Sequence, residues 1–241
     1  MNPDYKTFSI KGNDRRLNSD FILVKSISGG WIGIVCDGVG ESNGELNSGK
    51  ICAEKIIELI ENSSESDPLI KMKSAIIKTN QYLLEIQKSK LNETKIATTI
   101  VILYLLNHTV CWGHVGDSRI YQLKNDRLNL LTKDHSVIQE LVDGGFLTLK
   151  EAASHTGTNI IARAMGEKPN VIADVSKMHL QPSDAHRFIL CTDGLTNLIS
   201  DAEIESCLRK ENIEECYECF ISLLKRNNIS DDASFLIVDP F

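Results

Sequence analysis

"ATTIVILYLLNHTVCWGHVGDSRIYQLKNDRLNLLT", residues 97–132, consists of apolar runs separated by two-residue polar breaks. Ile100 to Leu106 and Thr109 to Val115 flank Asn107-His108, and "SRIYQL" meets "RLNLLT" around Asn125-Asp126. Asn and Asp tolerate the backbone conformations that tight hairpins need, so the stretch predicts consecutive antiparallel strands. The run from Ala97 to Leu106 is nearly continuous rather than alternating, which predicts a strand covered on both faces.

The same grammar extends outward. Asp20–Ile27 and Trp31–Cys36 read as two strands joined by a short turn at Ser28-Gly29-Gly30. "VIADVSKMHL", "HRFILCTD" and "ASFLIVDPF" return to strand downstream. Helical spacing covers Leu46 to Glu61 and Pro68 to about Gln87, with Asp67 placed to cap the second helix. Two more helices are predicted at about 194–209 and 212–226. Residues 136–166 read as short helical pieces interrupted by Gly144-Gly145 and Gly157. Hairpins with helices inserted in pairs predict an α+β sandwich with helices on its outer faces. Strands near both ends of the 241 residues favour one cooperative domain.

Composition narrows the function classes. With 42% hydrophobic residues the chain can fill a core. The amino terminus lacks the apolar segment of a signal peptide, and no run approaches the roughly 18 apolar residues of a membrane span. A soluble, cytoplasmic protein is expected. The net charge of −7, without a Lys/Arg stripe, argues against nucleic acid as partner. Seven cysteines are scattered along the chain. Cys36, Cys111 and Cys191 fall in apolar strands, where a thiol behaves as a small hydrophobe. Cys216-x-x-Cys219 lies in a helical pattern and reads as part of a core helix rather than a zinc site.

The chemistry lies at strand ends. "GIVCDG", "WGHVGDSR", "FILCTDGL" and "NISDDASFLIV" each run an apolar strand into or out of aspartate: Asp37, Asp117, Asp193, and the pair Asp231-Asp232. Asp20 opens the strand before them, Asp20–Ile27, after "DRRLN". A single such Asp is ordinarily a helix cap or a turn residue. Repeated and converging, the carboxylates would repel one another unless cations neutralised them. Oxygen-only clusters suit Mg²⁺ or Mn²⁺ rather than zinc. Glycines at 38, 40, 44 and 49 follow Asp37, marking a loop that approaches a phosphate, a metal or only solvent.

In motif order the chain resembles the metal-dependent serine/threonine phosphatases of the protein phosphatase 2C family, in their compact bacterial form. Arg15-x-x-Asn18-Ser19-Asp20 resembles the family's Arg-x-x-Asn-Glu-Asp, and "CDGVGESNGELNS" its Asp-Gly-Met-Gly-Gly loop. "ATTIV", "GHVGDSRIYQL", "LTKDHSVIQELVDGG", "NIIARAMG" and "LCTDGLTNLISDAEI" follow in place. "DDASFLIV" stands for the terminal Asp-Asn-x-Thr strand.

The resemblance implies a four-layer α-β-β-α sandwich with two mainly antiparallel sheets, as a single catalytic domain over residues 1–241. It implies two core Mg²⁺ or Mn²⁺ ions, with a third, weaker site in bacterial members. Asp37 would bridge the two core ions and the Gly38 carbonyl would bind one of them. Asp193 and Asp231 would hold the other, Asp117 the third, and Asp20 would act mainly through metal-bound water. Arg15 would clamp the substrate phosphate with its planar fork. Paired divalent ions about 4 Å apart would activate a water for in-line attack on phosphorus, with no phosphoenzyme. Residues 136–166 would form a flap beside the site. His114 and His135, inside matched motifs, read as structural.

This chain departs from the pattern at Ser19, where the family has Glu, at Glu41, and in a run to Gly44 shortened by one residue. Val39 stands where bacterial relatives carry Met. Expected partners are phosphorylated proteins, the substrates of a cognate Ser/Thr kinase, acted on by a monomer. A non-catalytic phosphoprotein-binding module on the same fold is the alternative. A metal nuclease or other phosphodiesterase is disfavoured by the acidic surface.

Overall fold

The computed structural model describes residues 2–39, 47–89, 96–153 and 160–241. In chain order the strands are β1 (Asp4–Ile10), β2 (Phe21–Ile27), β3 (Gly30–Cys36), β4 (Gly38–Val39), β5 (Ala97–Thr98), β6 (Ile100–Leu106), β7 (Thr109–Val115), β8 (Arg119–Lys124), β9 (Arg127–Leu130), β10 (Asp174–His179), β11 (His186–Cys191) and β12 (Ala233–Asp239). The helices are α1 (Ser48–Glu61), α2 (Pro68–Ser89), α3 (Val137–Asp143), α4 (Leu149–Ala153), α5 (Asp193–Thr196), α6 (Asp201–Leu208) and α7 (Ile213–Leu224). Two five-stranded antiparallel sheets form, ordered β1-β12-β11-β8-β9 and β10-β7-β6-β3-β2, and β4 pairs with β5 beside them.

Local chemistry sets the turns. Asn125 and Asp126 both take positive φ (46° and 61°) in the two-residue β8–β9 hairpin, and Asn107 (53°) begins the β6–β7 turn. The Asp67 carboxylate accepts from the Leu69 and Ile70 amides at the start of α2, as Pro68 in the first turn requires. The single helix expected at about 194–209 is instead two, α5 and α6. Ser200 and Glu203 form a reciprocal capping box that starts a fresh helix at Asp201.

The continuous apolar runs are explained by two-sided burial. On β6, Ile100, Ile102 and Tyr104 join the core beneath α1 and α2, while Val101, Leu103 and Leu105 face the other sheet. On β12, Ala233, Phe235 and Ile237 pack under α6 and α7, and Leu236 and Val238 turn inward. Three apolar layers thus separate four layers of structure, the expected α-β-β-α sandwich. Each fully buried Ile, Leu or Phe contributes about 1.5–3 kcal/mol, so the cores dominate stability.

Two features were not read from the sequence. The amino-terminal segment forms β1, which pairs along its length with β12, from Asp4 opposite Asp239 to Ile10 opposite Ala233. Cys219 pairs with Cys207 in a disulfide joining α6 to α7, while Cys216 is the buried core-helix residue expected. Cys36, Cys111 and Cys191 are free and buried, as read. Among the described residues no helix is long and apolar enough to cross a membrane.

The Cys207–Cys219 bond closes a sequence separation of 12 residues. By chain entropy its loss costs about 3 kcal/mol. Cys219→Ser is therefore expected to lower Tm by roughly 5–10 °C, checked by calorimetry against the oxidised parent. Reductant should shift the parent alone.

Candidate active site

Strand register alone assembles the site. Phe21 at the start of β2 lies opposite Cys36 at the end of β3, and Val35 opposite Val101 near the start of β6. Val115, ending β7, faces Ile100. In the second sheet Cys191, ending β11, faces both Arg119 and Phe235, and Ile10, ending β1, faces Ala233. The junctions that carry Asp20, Asp37, Asp117, Asp193 and Asp231 therefore open at the same edge of the sandwich. The strand-end carboxylates noted in the sequence are brought together by antiparallel pairing.

Small hydroxyls hold them in place. The Asp37 amide donates to Thr99 Oγ1 at 3.1 Å, and its carbonyl accepts from the Thr99 amide and from Thr98 Oγ1, both at 2.8 Å. Thr192 Oγ1 accepts from the Ser234 amide and donates to Asp20 Oδ2 at 3.0 Å. Asn197 Nδ2 donates to Asp193 Oδ2 at 3.1 Å. Sequence reasoning took Thr98, Thr99 and Thr192 only as motif letters. Only Thr192, next to Asp193, stood beside an aspartate in the sequence; that Thr98 and Thr99 meet the Asp37 backbone and Thr192 meets the Asp20 carboxylate is settled by the sheet.

Burial dominates the electrostatics, and charge crowding adds to it. Burial pushes Asp20 up to about 7, reinforced by Asp232 and Asp193, and burial likewise pushes Asp117 to about 7, with Asp193 adding to it. Burial and the neighbouring Asp20 and Asp193 raise Asp37 well above the carboxylate range, and burial raises Asp193 too. Asp20 and Asp117 are 6% and 7% exposed, and Oδ1 of each is buried without a partner. Buried carboxylate oxygens without a hydrogen-bond partner, in an all-oxygen cluster, are the donor chemistry of hard divalent cations, so the residues fit Mg²⁺ or Mn²⁺.

Gly38 sits in β4 opposite Thr98, its amide donating to the Ser19 carbonyl. Arg15, from the β1–β2 loop, lies on Asp231: Nε and Nη2 donate to the two carboxylate oxygens, each at 2.6 Å. Burial acts to raise Asp231, but this fork outweighs it and holds the carboxyl below the usual range. The Arg15 side chain remains 44% exposed, leaving it able to turn toward a ligand. A cavity of about 220 Å³ opens next to Asp117 and Asp193, walled by Arg119, Asp134, Gln139 and Asn197. Glu41 and the run to Gly44 lie outside the described residues.

His114 and His135 are buried and stacked, ring centroids 4.4 Å apart, with Asp174 close by. His135 Nδ1 accepts the Gly116 amide, so its proton sits on Nε2 and points to Asp174 Oδ2 at 3.3 Å. That face offers a proton where a metal needs a lone pair. Burial holds His135 down to about 4 and lowers His114 as well, the behaviour of neutral core histidines, as expected from the sequence.

Five acidic side chains around one sheet edge, beside an exposed arginine, have the chemistry of a site for phosphate and divalent cations. The sequence profile of Protein phosphatase 2C matches residues 13–225. The chain is 30% identical over 215 residues to a serine/threonine phosphatase, stp, of Listeria innocua, covering 86% of this chain and 83% of that protein. The solved serine/threonine phosphatase of S. agalactiae superposes with a TM-score of 0.84 at 28% identity, over 99% of both chains. A PstP catalytic domain, solved in complex with two manganese ions, shares the fold (TM-score 0.83, 24% identity, 98% of this chain and 97% of that one). The chain belongs to the protein phosphatase 2C family of metal-dependent serine/threonine phosphatases.

Proposed function

We propose that residues 1–241 form one catalytic domain that hydrolyses phosphoserine and phosphothreonine in proteins with two core divalent cations. The convergence of Asp20, Asp37, Asp117, Asp193 and Asp231 at one sheet edge, where Asp20 and Asp117 each keep a buried oxygen without a partner, carries this reading. In it Asp37 and the Gly38 carbonyl, with Asp193 and Asp231, hold the core ions. Asp117 serves a third ion and Asp20 acts through water. Bound cations would supply an acidified water and neutralise charge on the phosphoryl group.

The chain's own residues do the rest. Thr98 and Thr99 pin the backbone of Asp37, and Thr192 orients Asp20, so the carboxylates need no rearrangement to accept charge. Arg15 must leave Asp231 to fork onto two phosphoryl oxygens, a geometry that lysine cannot reproduce. The cysteines take no part: the five free ones are buried, and no Cys-x5-Arg loop exists. Ile138, Gln139 and Ala152, from the 136–166 flap, wall the cavity opposite Asp117 and Asp193, where they would select substrate.

The partners in this reading are phosphoproteins made by a cognate Ser/Thr kinase, met by a cytoplasmic monomer. The experiment is release of phosphate from a phosphothreonine peptide with Mn²⁺, with EDTA, and in Asp193→Ala. Turnover that requires Mn²⁺ or Mg²⁺ and disappears in the variant supports the reading. No turnover with either metal overturns it, and phosphopeptide binding without hydrolysis would establish the non-catalytic alternative.

A further inference from the structure

Asp232 is 4% exposed, and both of its carboxylate oxygens accept backbone amides. Its Oδ1 accepts the Gly12 amide at 2.9 Å and its Oδ2 accepts the Ser19 amide at 2.7 Å. Gly12 and Ser19 bracket the β1–β2 loop, which carries Arg15 and leads into Asp20. The same loop is strapped to the segment before β12 by Asn13 to the Ile229 carbonyl at 2.7 Å and Asp14 to the Ser230 carbonyl at 3.3 Å. A Cβ at position 12 would fall 2.5 Å from the Ser230 carbonyl oxygen, so the loop lies directly on that backbone.

Two backbone N–H donors need two acceptors. A carboxylate provides both; an asparagine provides one and sets an NH₂ against the other N–H. The family pattern that this chain resembles has Asn at position 232 and Glu at position 19. Here both are changed: Ser19 removes a carboxylate from the loop and Asp232 returns one from the base of β12. The exchanged carboxylate sits at position 19 itself, Asp232 Oδ2 lying 2.7 Å from the Ser19 amide nitrogen and next in sequence to Asp231.

We propose that Asp232 is a positioning residue that clamps the Arg15–Asp20 loop by both ends and restores to the cation site the carboxylate that Ser19 lacks. This rests on the cation reading of the site. It makes residues 19 and 232 an exchangeable pair, coupled in metal affinity and in loop order.

The test is a double-mutant cycle on the full chain: Asp232→Asn, Ser19→Glu and the combination. Each is read by Mn²⁺ titration calorimetry and by hydrogen exchange at the Gly12 and Ser19 amides. Asp232→Asn is expected to weaken Mn²⁺ binding about tenfold, as loss of a group supporting metal ligands does. It should also speed exchange at those two amides while the amides of β3 and β6 stay protected, which separates loop release from unfolding. Adding Ser19→Glu should recover most of the Mn²⁺ affinity but not the amide protection. Unchanged Mn²⁺ affinity in Asp232→Asn, or single effects that simply add in the double variant, would overturn the charge exchange. Unchanged amide protection would overturn the clamp. A parent protein that binds no Mn²⁺ would overturn the cation reading itself, and the exchange arm would still decide the clamp.

Discussion

Asp37→Asn is expected to abolish phosphatase turnover, by about 10³-fold or more, while raising the melting temperature of the metal-free protein. The two effects share a cause. Asp37 is pressed by burial and by the charges of Asp20, Asp193 and Asp117, which is why its carboxyl is held well above the ordinary range. That crowding stores unfavourable energy which a bound cation or a retained proton relieves. Asparagine keeps the shape and the backbone contacts to Thr98 and Thr99 but removes one charge, so the metal-free fold gains on the order of 1–2 kcal/mol. The same change deletes the proposed bridging ligand, and with it the charge stabilisation that divalent ions supply, worth several kcal/mol. Phosphopeptide kinetics and EDTA-treated melting curves measure both. A variant within tenfold of the parent rate would remove Asp37 from the machinery, and a lowered metal-free Tm would show that the crowding is not there.

The second large effect concerns pH. For the metal-stripped protein, stability should fall as pH rises, and Mn²⁺ should abolish the fall. Asp20 and Asp117 titrate near 7 when folded, against 3.8 for an ordinary aspartate. Between those values the folded state retains protons that the unfolded chain has lost, so stability present at acid pH is lost as pH climbs through 7. Over the whole interval from 3.8 to 7 that difference corresponds to about 4 kcal/mol for one group, most of it lost below pH 6.5, and Asp37 and Asp193 shift in the same direction. The buried histidines pull the other way at lower pH: His135, held to about 4, penalises the fold as pH drops below 6.5. The clean window is therefore pH 6.5–8, where only the carboxylates act. Melting curves in EDTA across that window should decline, and curves in excess Mn²⁺ should stay level. A flat EDTA series would mean that the carboxylates are already relieved without a cation.

Much of this was legible in the linear chain because its causes are local. Asn107 and Asn125-Asp126 announce hairpins through the conformations that their own backbones accept, and Asp67-Pro68 announces the start of α2. The aspartates at the ends of apolar runs announce a charged edge. What escaped has partners far away in the chain. β1 is polar and unremarkable until it pairs with β12, some 230 residues later, and its exposed faces leave no apolar pattern to read. The break between α5 and α6 turned on whether Ser200 caps or merely continues a helix, which a periodicity count does not resolve. Cys207 and Cys219 are separate letters until α6 packs on α7.

The site divides the same way. Residue identity determined its chemistry: oxygen donors in excess, few histidines, and one arginine ahead of the first aspartate make a phosphate-and-cation site wherever they meet. Tertiary structure alone decided which groups touch. It set Arg15 onto Asp231 rather than on solvent, gave Thr99 to Asp37 and Thr192 to Asp20, and drew Gly12 and Ser19 onto the two oxygens of Asp232. The reason is geometric. Sequence specifies what a side chain can donate or accept, but the partner is chosen by strand register, and register is set by burying every apolar face of two sheets at once.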